Sequence, residues 1–561
     1  FGSRIFAPSH RAARLQAAMQ RRRRTIVWFR NDLRVHDNPL LARLASHPER
    51  GEEVACAYFA SPDVFDATLR VTGLPKCGAR RAAFLRESVE DLGASLRALG
   101  SDLLVFRGSA ASVLRESLLS GDPDGVEVLV TQGLTPEEQA EERAVEEVLS
   151  AWSCGRAATA RLTRLWGLTM FHVDDLPYDN VQEQLPMVFA PFGRAVRGHF
   201  RAADAAGAAR TRRGEAGALL RPEEPAPRAL PAPPPSCRAQ AAARVADALP
   251  TAALPDGEQS LDGWWDVCFK GGETAGLRRL ADFVGKDLAR YKETRNGLDG
   301  LRFSSKLSPW MAAGCVSPRR VAAAVREFER RHKNGAPTPS TAHFVSEFAW
   351  RDYLILLAWK CGPKLFQLHG PAGRAGGFAW RRDAELERRF VEGATGVPLV
   401  DAAVRQMRTS GFMSNRARQY VASYLTVELQ LDWRVGAELF ESFLVDYDVH
   451  ANWGNWMRAA GVAGQGFGHG GSRWFNLAEE RDRFDASGDF VAAWVPEVAR
   501  LARGPQRHAP WAVPEATRRA AGCGAYPAPP DTPSRRALDG SEDPRRAAPE
   551  LFRTTRAAKQ G

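Results

Sequence analysis

The chain has 561 residues, 44% hydrophobic and 25% charged, enough to bury a sizeable core spread over two domains. It contains no run of about 18 apolar residues, which argues against a membrane-spanning helix, and its eight cysteines form no CxxC pair, which argues against a zinc site or a disulfide framework and suits reduced thiols. A formal charge of +11 and a pI near 9.5 favour an anionic partner such as nucleic acid, although arginine excess also follows from GC-rich coding.

Residues 1–24 hold seven arginines and no acid, the composition of a transit-peptide remnant or of a basic extension. The first reading places the protein in a chloroplast or mitochondrion rather than in the cytoplasm or nucleus. Residues 25–201 read as an α/β domain. Short buried strands are expected at 25–30, 54–60, 102–108 and 126–132, with helical patterns such as 80–100 between them, so the sheet is parallel and covered by helices. No GxGxxG or P-loop follows the first strand. Residues 202–260, rich in Ala, Pro, Arg and Glu, read as a poorly ordered inter-domain linker. From 261 to 501 the pattern is helical almost throughout, and 502–561 reads as a disordered basic tail.

The densest information lies between 396 and 464. There Asn415, Arg416, Arg418, Asp446, Asp448, Asn452 and Trp456 sit in an apolar helical frame. Isolated buried charges are too costly to persist, so these groups pair with one another or contact a polar ligand. Such a frame suits a large cofactor with a hydrophobic body and hydrogen-bonding edges. Asp446 and Asp448 at i, i+2 invite a metal, but no compact set of further ligands accompanies them.

Several long segments resemble one family. IVWFRNDLRVHDNPLL is similar to the start of the photolyase/cryptochrome family, and GGETAGLRRLADFVGKDLARYKETRNGLDGLRFSSKLSPW to its flavin-binding entrance. The ETRNGLDGLRFSSKLSPW form, with GFMSNRARQ and WFN, resembles the DASH-type cryptochromes. The resemblance runs from residue 25 to about 501. It implies an N-terminal α/β antenna domain and an all-α domain that holds FAD in a bent shape.

Carried over residue by residue, the resemblance assigns the following roles. Tyr291 and Ser304, Ser305, Lys306, Leu307 and Ser308 fall at the FAD diphosphate positions; alone, the SSKLSP run would be only a helix cap followed by proline. Glu347, Trp350, Arg351 and Leu354 share one helix face, and the Glu and Arg at i, i+4 would otherwise be an ordinary surface pair. By resemblance Glu347 hydrogen-bonds a flipped pyrimidine, Trp350 stacks on it, and Arg351 pairs with Asp446 beside the flavin. Asp446 and Asp448 lie near the flavin edge and ribityl chain, and Asn452 faces flavin N5, where an amide accepts or donates. Asn415 stands where photolyases of the (6-4) type carry a histidine, which favours the cyclobutane dimer. Arg418 and Gln419 face the cavity mouth, and Arg295 lies near DNA phosphates. Trp456, Trp433 and Trp380 match an electron relay from surface to flavin, although most of the fifteen tryptophans must be core. Arg458 departs from the pattern, replacing the aromatic residue of the lesion pocket. Glu137 and Glu138 are the carboxylates offered to a 5,10-methenyltetrahydrofolate antenna.

The expected function is light-driven repair of cyclobutane pyrimidine dimers, preferentially in damaged single-stranded DNA, by a monomeric photolyase-type lyase with no bound metal. An electron passes from excited reduced FAD to the dimer and returns after ring opening. The alternatives are a blue-light photoreceptor with little repair activity and a nucleic-acid-binding flavoprotein.

Overall fold

The computed structural model describes residues 23–46, 53–121, 123–196, 223–224, 226–239, 241–249, 269–373, 380–463 and 474–543. Five parallel strands form the first domain: β1 (Arg23–Phe29), β2 (Glu53–Ala60), β3 (Leu103–Arg107), β4 (Gly125–Thr131) and β5 (Thr159–Leu165). Their order is β3-β2-β1-β4-β5, a doubly wound sheet whose winding reverses at β1 and β4. Alternate residues serve two cores. Ile26, Trp28, Phe59, Phe106 and Val128 face α2 (Pro136–Ser153), whereas Val27, Phe29, Cys56, Tyr58 and Leu129 face α1 (Ala79–Ala98) and the helical domain. The expected parallel sheet is thus present, with one strand more than the sequence signalled. In β5, TARLTRL forms the sheet edge and is nowhere fully buried, so no apolar run marks it.

The helical domain contains α3 (Glu273–Lys286), the short α4 (Tyr291–Thr294) and α5 (Ser308–Ala312), and the long α6 (Pro339–Cys361). Further on come α7 (Pro398–Ser410), α8 (Asn415–Ser423), α9 (Trp433–Phe443), α10 (Val449–Ala459) and α11 (Leu477–Phe484). Helix α6 starts on a capping box at Thr338 with Pro339 in its first turn, and Gly362 at φ 53° closes it. It packs on α10, which also packs on α9.

The switch-point crevice at the carboxyl end of β1 is filled by the other domain. Leu33 N donates to Ala313 O at 3.2 Å and the Arg34 guanidinium to Gly314 O at 2.9 Å. A Cβ on Gly314 would lie 1.9 Å from Asn31 O, so only glycine fits this approach. Asp37, wholly buried, pairs with Arg319 at 2.6 Å across the same contact. Lower down, the buried Asp352 of α6 accepts from Met170 N at 2.9 Å and Phe171 N at 3.1 Å, clamping the strand-to-helix connection.

Three expectations about irregular segments change. Within 202–260, residues 226–239 and 241–249 lie against the sheet: Leu230 N donates to Leu99 O and Ala242 N to Val105 O, both at 2.8 Å. Leu230, Cys237 and Leu249 are the buried anchors that the Ala/Pro-rich composition hid. Residues 202–222 and 250–260 lie outside the described ones. The tail expected to be disordered from 502 is folded to 543, with α12 (Pro533–Asp539) packed on α11. Its few polar and aromatic side chains meet buried carboxylates: Ser534 donates to Glu428, which also accepts from Trp474, and Tyr526 O–H donates to Asp401. Residues 544–561 lie outside the described ones, as do residues 1–22 of the basic leader. Its last two arginines, Arg23 and Arg24, open β1, and Arg24 is buried against Glu53 and the carbonyls of Leu118 and Ser120. The described cysteines are free thiols.

Candidate functional site

One cavity, enclosing about 1050 Å³ with its mouth, opens where α4, α5, α6, α8 and the start of α10 converge. Thirteen predicted site residues line it. Tyr291, Ser304, Ser305, Lys306, Leu307 and Ser308 form one side; Glu347, Trp350, Arg351, Asn415, Arg418, Asp446 and Asp448 form the rest. Ser304 and Lys306 both have left-handed backbones, at φ 67° and 57°, and Leu307 between Lys306 and α5 returns to the right-handed region. Such alternation makes a concavity of backbone N–H groups suited to an anion. Arg279 fixes it from outside, donating to Ser305 O at 2.9 Å while paired with Asp282 at 2.7 Å. The Lys306 ammonium is buried 4.4 Å above the Phe412 ring.

The inner wall carries two ion pairs, and they are not the expected pairing. Asp446 binds Arg418, whose Nη2 lies 2.9 and 2.8 Å from the two carboxylate oxygens; Arg351 instead binds Asp448 at 3.1 Å. The reason is local. Asp448 is the N-cap of α10, accepting from His450 N at 3.0 Å and Ala451 N at 3.1 Å, which turns its second oxygen toward α6 and Arg351. Asp446, two residues earlier, faces α8. Burial alone would raise the Asp448 carboxyl; the Arg351 guanidinium and the His450 ring more than offset it and hold it well below the usual carboxylate range.

The outer wall carries Glu347, Trp350 and Asn415. Glu347 accepts from Tyr291 O–H and from Arg295 Nη1 at 2.6 Å, and His343 Nε2 lies 3.4 Å away. Burial, reinforced by the Glu347 charge, pushes the Tyr291 phenol well above its ordinary range. The Trp350 ring packs edge-on against Phe189 at 4.8 Å, and the Arg458 guanidinium lies 5.1 Å from its centroid. Asn415 is exposed at the first turn of α8.

Three residues predicted to meet cofactor or DNA stand off the cavity: Gln419, Asn452 and Arg295, the last joining it only through Glu347. Gln419 is half-buried one turn beyond Asn415, outside the lining. Asn452 is also outside it; its amide nitrogen donates to Ala437 O at 2.9 Å, which fixes the side chain and leaves Oδ1 as the acceptor end. The lining residues missed from sequence are mostly apolar: Met311, Phe344, Phe348, Phe412 and Met413, with Ala451 and Asn455 on α10. Their only sequence signal is spacing, since Phe344 and Phe348, like Ala451 and Asn455, recur at i, i+4 on helices that carry predicted residues.

Trp433 and Trp456 are buried, and Trp380 is partly buried against the same core. Trp456 packs edge-on to Phe440 at 5.1 Å, while Trp433 donates to Leu368 O at 2.9 Å. Trp433 also meets Trp453 edge-on at 5.7 Å, an aromatic neighbour absent from the predicted relay. The offered antenna carboxylates both have structural partners: the exposed Glu137 pairs with Lys76 at 2.6 Å, and Glu138 closes the capping box of α2 with Thr135. Among the described residues there is no cluster of His, Cys, Asp and Glu that could hold a metal, and no helix long and apolar enough to cross a membrane.

A concavity for an anion at one end, apolar walls of Phe344, Leu354, Phe412 and Met413, and charged pairs at the inner edge match the chemistry of a flavin dinucleotide. A doubly wound sheet docked on a helical domain with this cavity defines a two-domain flavoprotein. Residues 25–210 match the family described as DNA photolyase, and residues 344–532 match the FAD binding domain of DNA photolyase. The chain is 38% identical to cryptochrome DASH, chloroplastic/mitochondrial, from Ostreococcus tauri, over 86% of this chain and 85% of that one. It is 37% identical to cryptochrome DASH from Natronomonas pharaonis, over 88% and 94%. The crystal structure of Synechocystis sp. PCC6803 cryptochrome matches with a TM-score of 0.76 at 34% identity, covering 93% of this chain and 99% of that one. A bacterial class III photolyase from Agrobacterium tumefaciens matches with a TM-score of 0.68 at 26% identity, over 96% and 98%. The chain belongs to the photolyase/cryptochrome family, within its cryptochrome DASH branch, and its cofactor is FAD.

Proposed function

We propose that this protein uses light to split cyclobutane pyrimidine dimers, chiefly in single-stranded DNA. The observation that carries the reading is the division of one cavity into a charged inner wall and an open outer wall bearing Glu347, Trp350 and Asn415. Bound FAD supplies the electron that opens the dimer ring. The concavity at Ser304 to Ser308 and the buried Lys306 neutralise the cofactor's diphosphate, and the pairs of Arg418 with Asp446 and Arg351 with Asp448 orient its polar edge. Asn452, anchored through its nitrogen, offers an oxygen to a proton donor on that edge.

At the outer wall, Trp350 gives a flipped base an aromatic surface and Glu347 accepts hydrogen bonds from its edge. Asn415 offers an amide but no acid of histidine's strength, which suits a dimer that splits by electron transfer alone. Extruding a dimer from a duplex costs a few kcal/mol that a single strand does not demand, hence the preference for single strands. Trp456, Trp433 and Trp380 deliver electrons from the surface.

The test is blue-light repair of one defined thymine dimer, in a single strand and in its duplex, by protein with fully reduced FAD. Repair confined to the single strand is expected; no repair of either, with FAD bound and photoreducible, overturns the reading. A photoreceptor with little repair activity is the second reading. It is favoured by Arg458, whose guanidinium lies against the ring meant to receive the base. We also propose a monomer, housed in a chloroplast or mitochondrion, with a methenyl folate antenna. A folate absorption band in purified protein tests the last.

A further inference from the structure

Glu347 is the hub of the outer wall, and its two oxygens are already engaged. Tyr291 O–H occupies Oε2 and Arg295 Nη1 occupies Oε1 at 2.6 Å. A third donor waits beside them. His343, one turn earlier on α6, has its Nε2 buried 3.4 Å from Glu347 Oε1, without the geometry of a hydrogen bond. Its ring also lies beside that of Tyr291, with centroids 6.4 Å apart. Resting on the reading that a nucleic-acid strand enters this cavity, we propose that the donors on Glu347 exchange when the strand binds. Arg295 leaves for a backbone phosphate, and protonated His343 takes its place on Oε1. His343 is then a positioning residue that keeps the carboxylate ionised and aimed at the base.

The exchange follows from the chemistry of the groups. Arg295 is about four-fifths shielded and touches the lining through Glu347 from the residue that ends α4, and a guanidinium binds phosphate with two parallel hydrogen bonds. Its departure would leave Glu347 half-shielded with only the Tyr291 hydroxyl. The charged groups facing His343 are Lys292 and Arg295, from α4 and its end, and Glu347, from its own helix; Tyr291 adds a neutral phenol. In the strand-free state burial first, then Arg295 and Lys292, hold the imidazole below its ordinary value, against the pull of Glu347. Moving Arg295 onto a phosphate removes one of the two repelling cations and leaves Glu347 to His343. The ring then binds a proton taken from solvent, so strand binding and proton uptake are linked.

The experiment uses the FAD-loaded protein and a fluorescent single-stranded oligonucleotide carrying one thymine dimer, titrated by anisotropy between pH 6 and pH 8. Wild-type affinity should fall as pH rises, by up to about tenfold per unit where one full proton is taken up. His343→Gln should flatten that dependence, and Arg295→Gln should lower the slope of log affinity against log salt by about 0.7, the value of one phosphate contact on a single strand. Calorimetry of wild-type binding in two buffers of different ionisation enthalpy counts the proton directly, without any variant. A pH-independent wild-type affinity with no proton uptake overturns the exchange, as does a His343→Gln protein that keeps the wild-type dependence. If the wild type binds no strand at any pH, the repair reading falls with it; if it binds without proton uptake, only the exchange falls.

Discussion

Asp446 is nearly closed off from solvent, and one guanidinium nitrogen, from Arg418, spans both of its oxygens. Replacing that partner leaves a buried carboxylate alone, which costs about 3 kcal/mol. Arg418→Gln should therefore lower the urea midpoint of the protein and release FAD on gel filtration, whereas Arg416→Gln, whose side chain is off the cavity, should retain the cofactor. Asn452 makes a finer case. In Asn452→Asp a carboxylate replaces the amide that donates to Ala437 O, so an acceptor faces an acceptor; a loss of about 1–3 kcal/mol is expected, read as a lower melting temperature. The identities of these residues were legible in the sequence because polar letters inside an apolar helical frame are conspicuous. Their partners were not. Two aspartates at i, i+2 around a helix start point in different directions, and only the N-cap geometry of Asp448 settles which arginine each receives.

Helix α9 reaches α10 through Gly436. A Cβ there would stand 2.1 Å from the Trp456 ring, so Gly436→Ala must displace the tryptophan or separate the helices. Overpacking of this kind costs about 1–3 kcal/mol. Near-ultraviolet circular dichroism should show altered aromatic packing, and photoreduction of FAD should slow if Trp456 belongs to the relay. Between domains, α6 supplies Asp352, whose carboxyl burial raises to about 7. That value lies above the ordinary unfolded value near 4, so the folded state holds a proton the unfolded chain has lost. Stability is then fully present below about pH 4 as far as this group is concerned, and declines as pH rises toward 7. Asp352→Asn should flatten that decline in urea titrations, while its side-chain oxygen still accepts from Met170 and Phe171. Helices and strands with a continuous apolar face were readable from periodicity. Edge strand β5 was not, because an edge with one wet side needs no apolar run, and its arginines find acids on neighbouring elements: Arg161 with Glu127, Arg164 with Glu142 and Glu146.

At the scale of the whole molecule, the segment from 502 to 543 is part of the helical domain rather than an appendage. Truncation after residue 501 would strip Glu428 of Ser534 and Asp401 of Tyr526, and would uncover Leu538 and the rest of α12's buried face. Two under-satisfied buried carboxylates and the lost apolar contacts amount to about 4 kcal/mol, or roughly 10 °C in Tm at 2–4 °C per kcal/mol. A thermal melt of the truncated protein checks this. Composition alone reads such a segment as disordered, because Pro, Arg and Ala dominate and the few anchors, such as Tyr526, Ser534 and Leu538, form no continuous apolar run. What anchors it lies elsewhere in the chain, and no local pattern announces a buried glutamate waiting for a distant hydroxyl. The same long reach has a consequence during synthesis. Glu428 leaves the ribosome 106 residues before Ser534, which at 5–20 residues per second is roughly 5–20 s. The lining of the flavin cavity ends at Asn455, 79 residues before Ser534, so for about 4–16 s of synthesis its walls exist without the brace of α12, and cofactor entry is expected in that looser form of the domain.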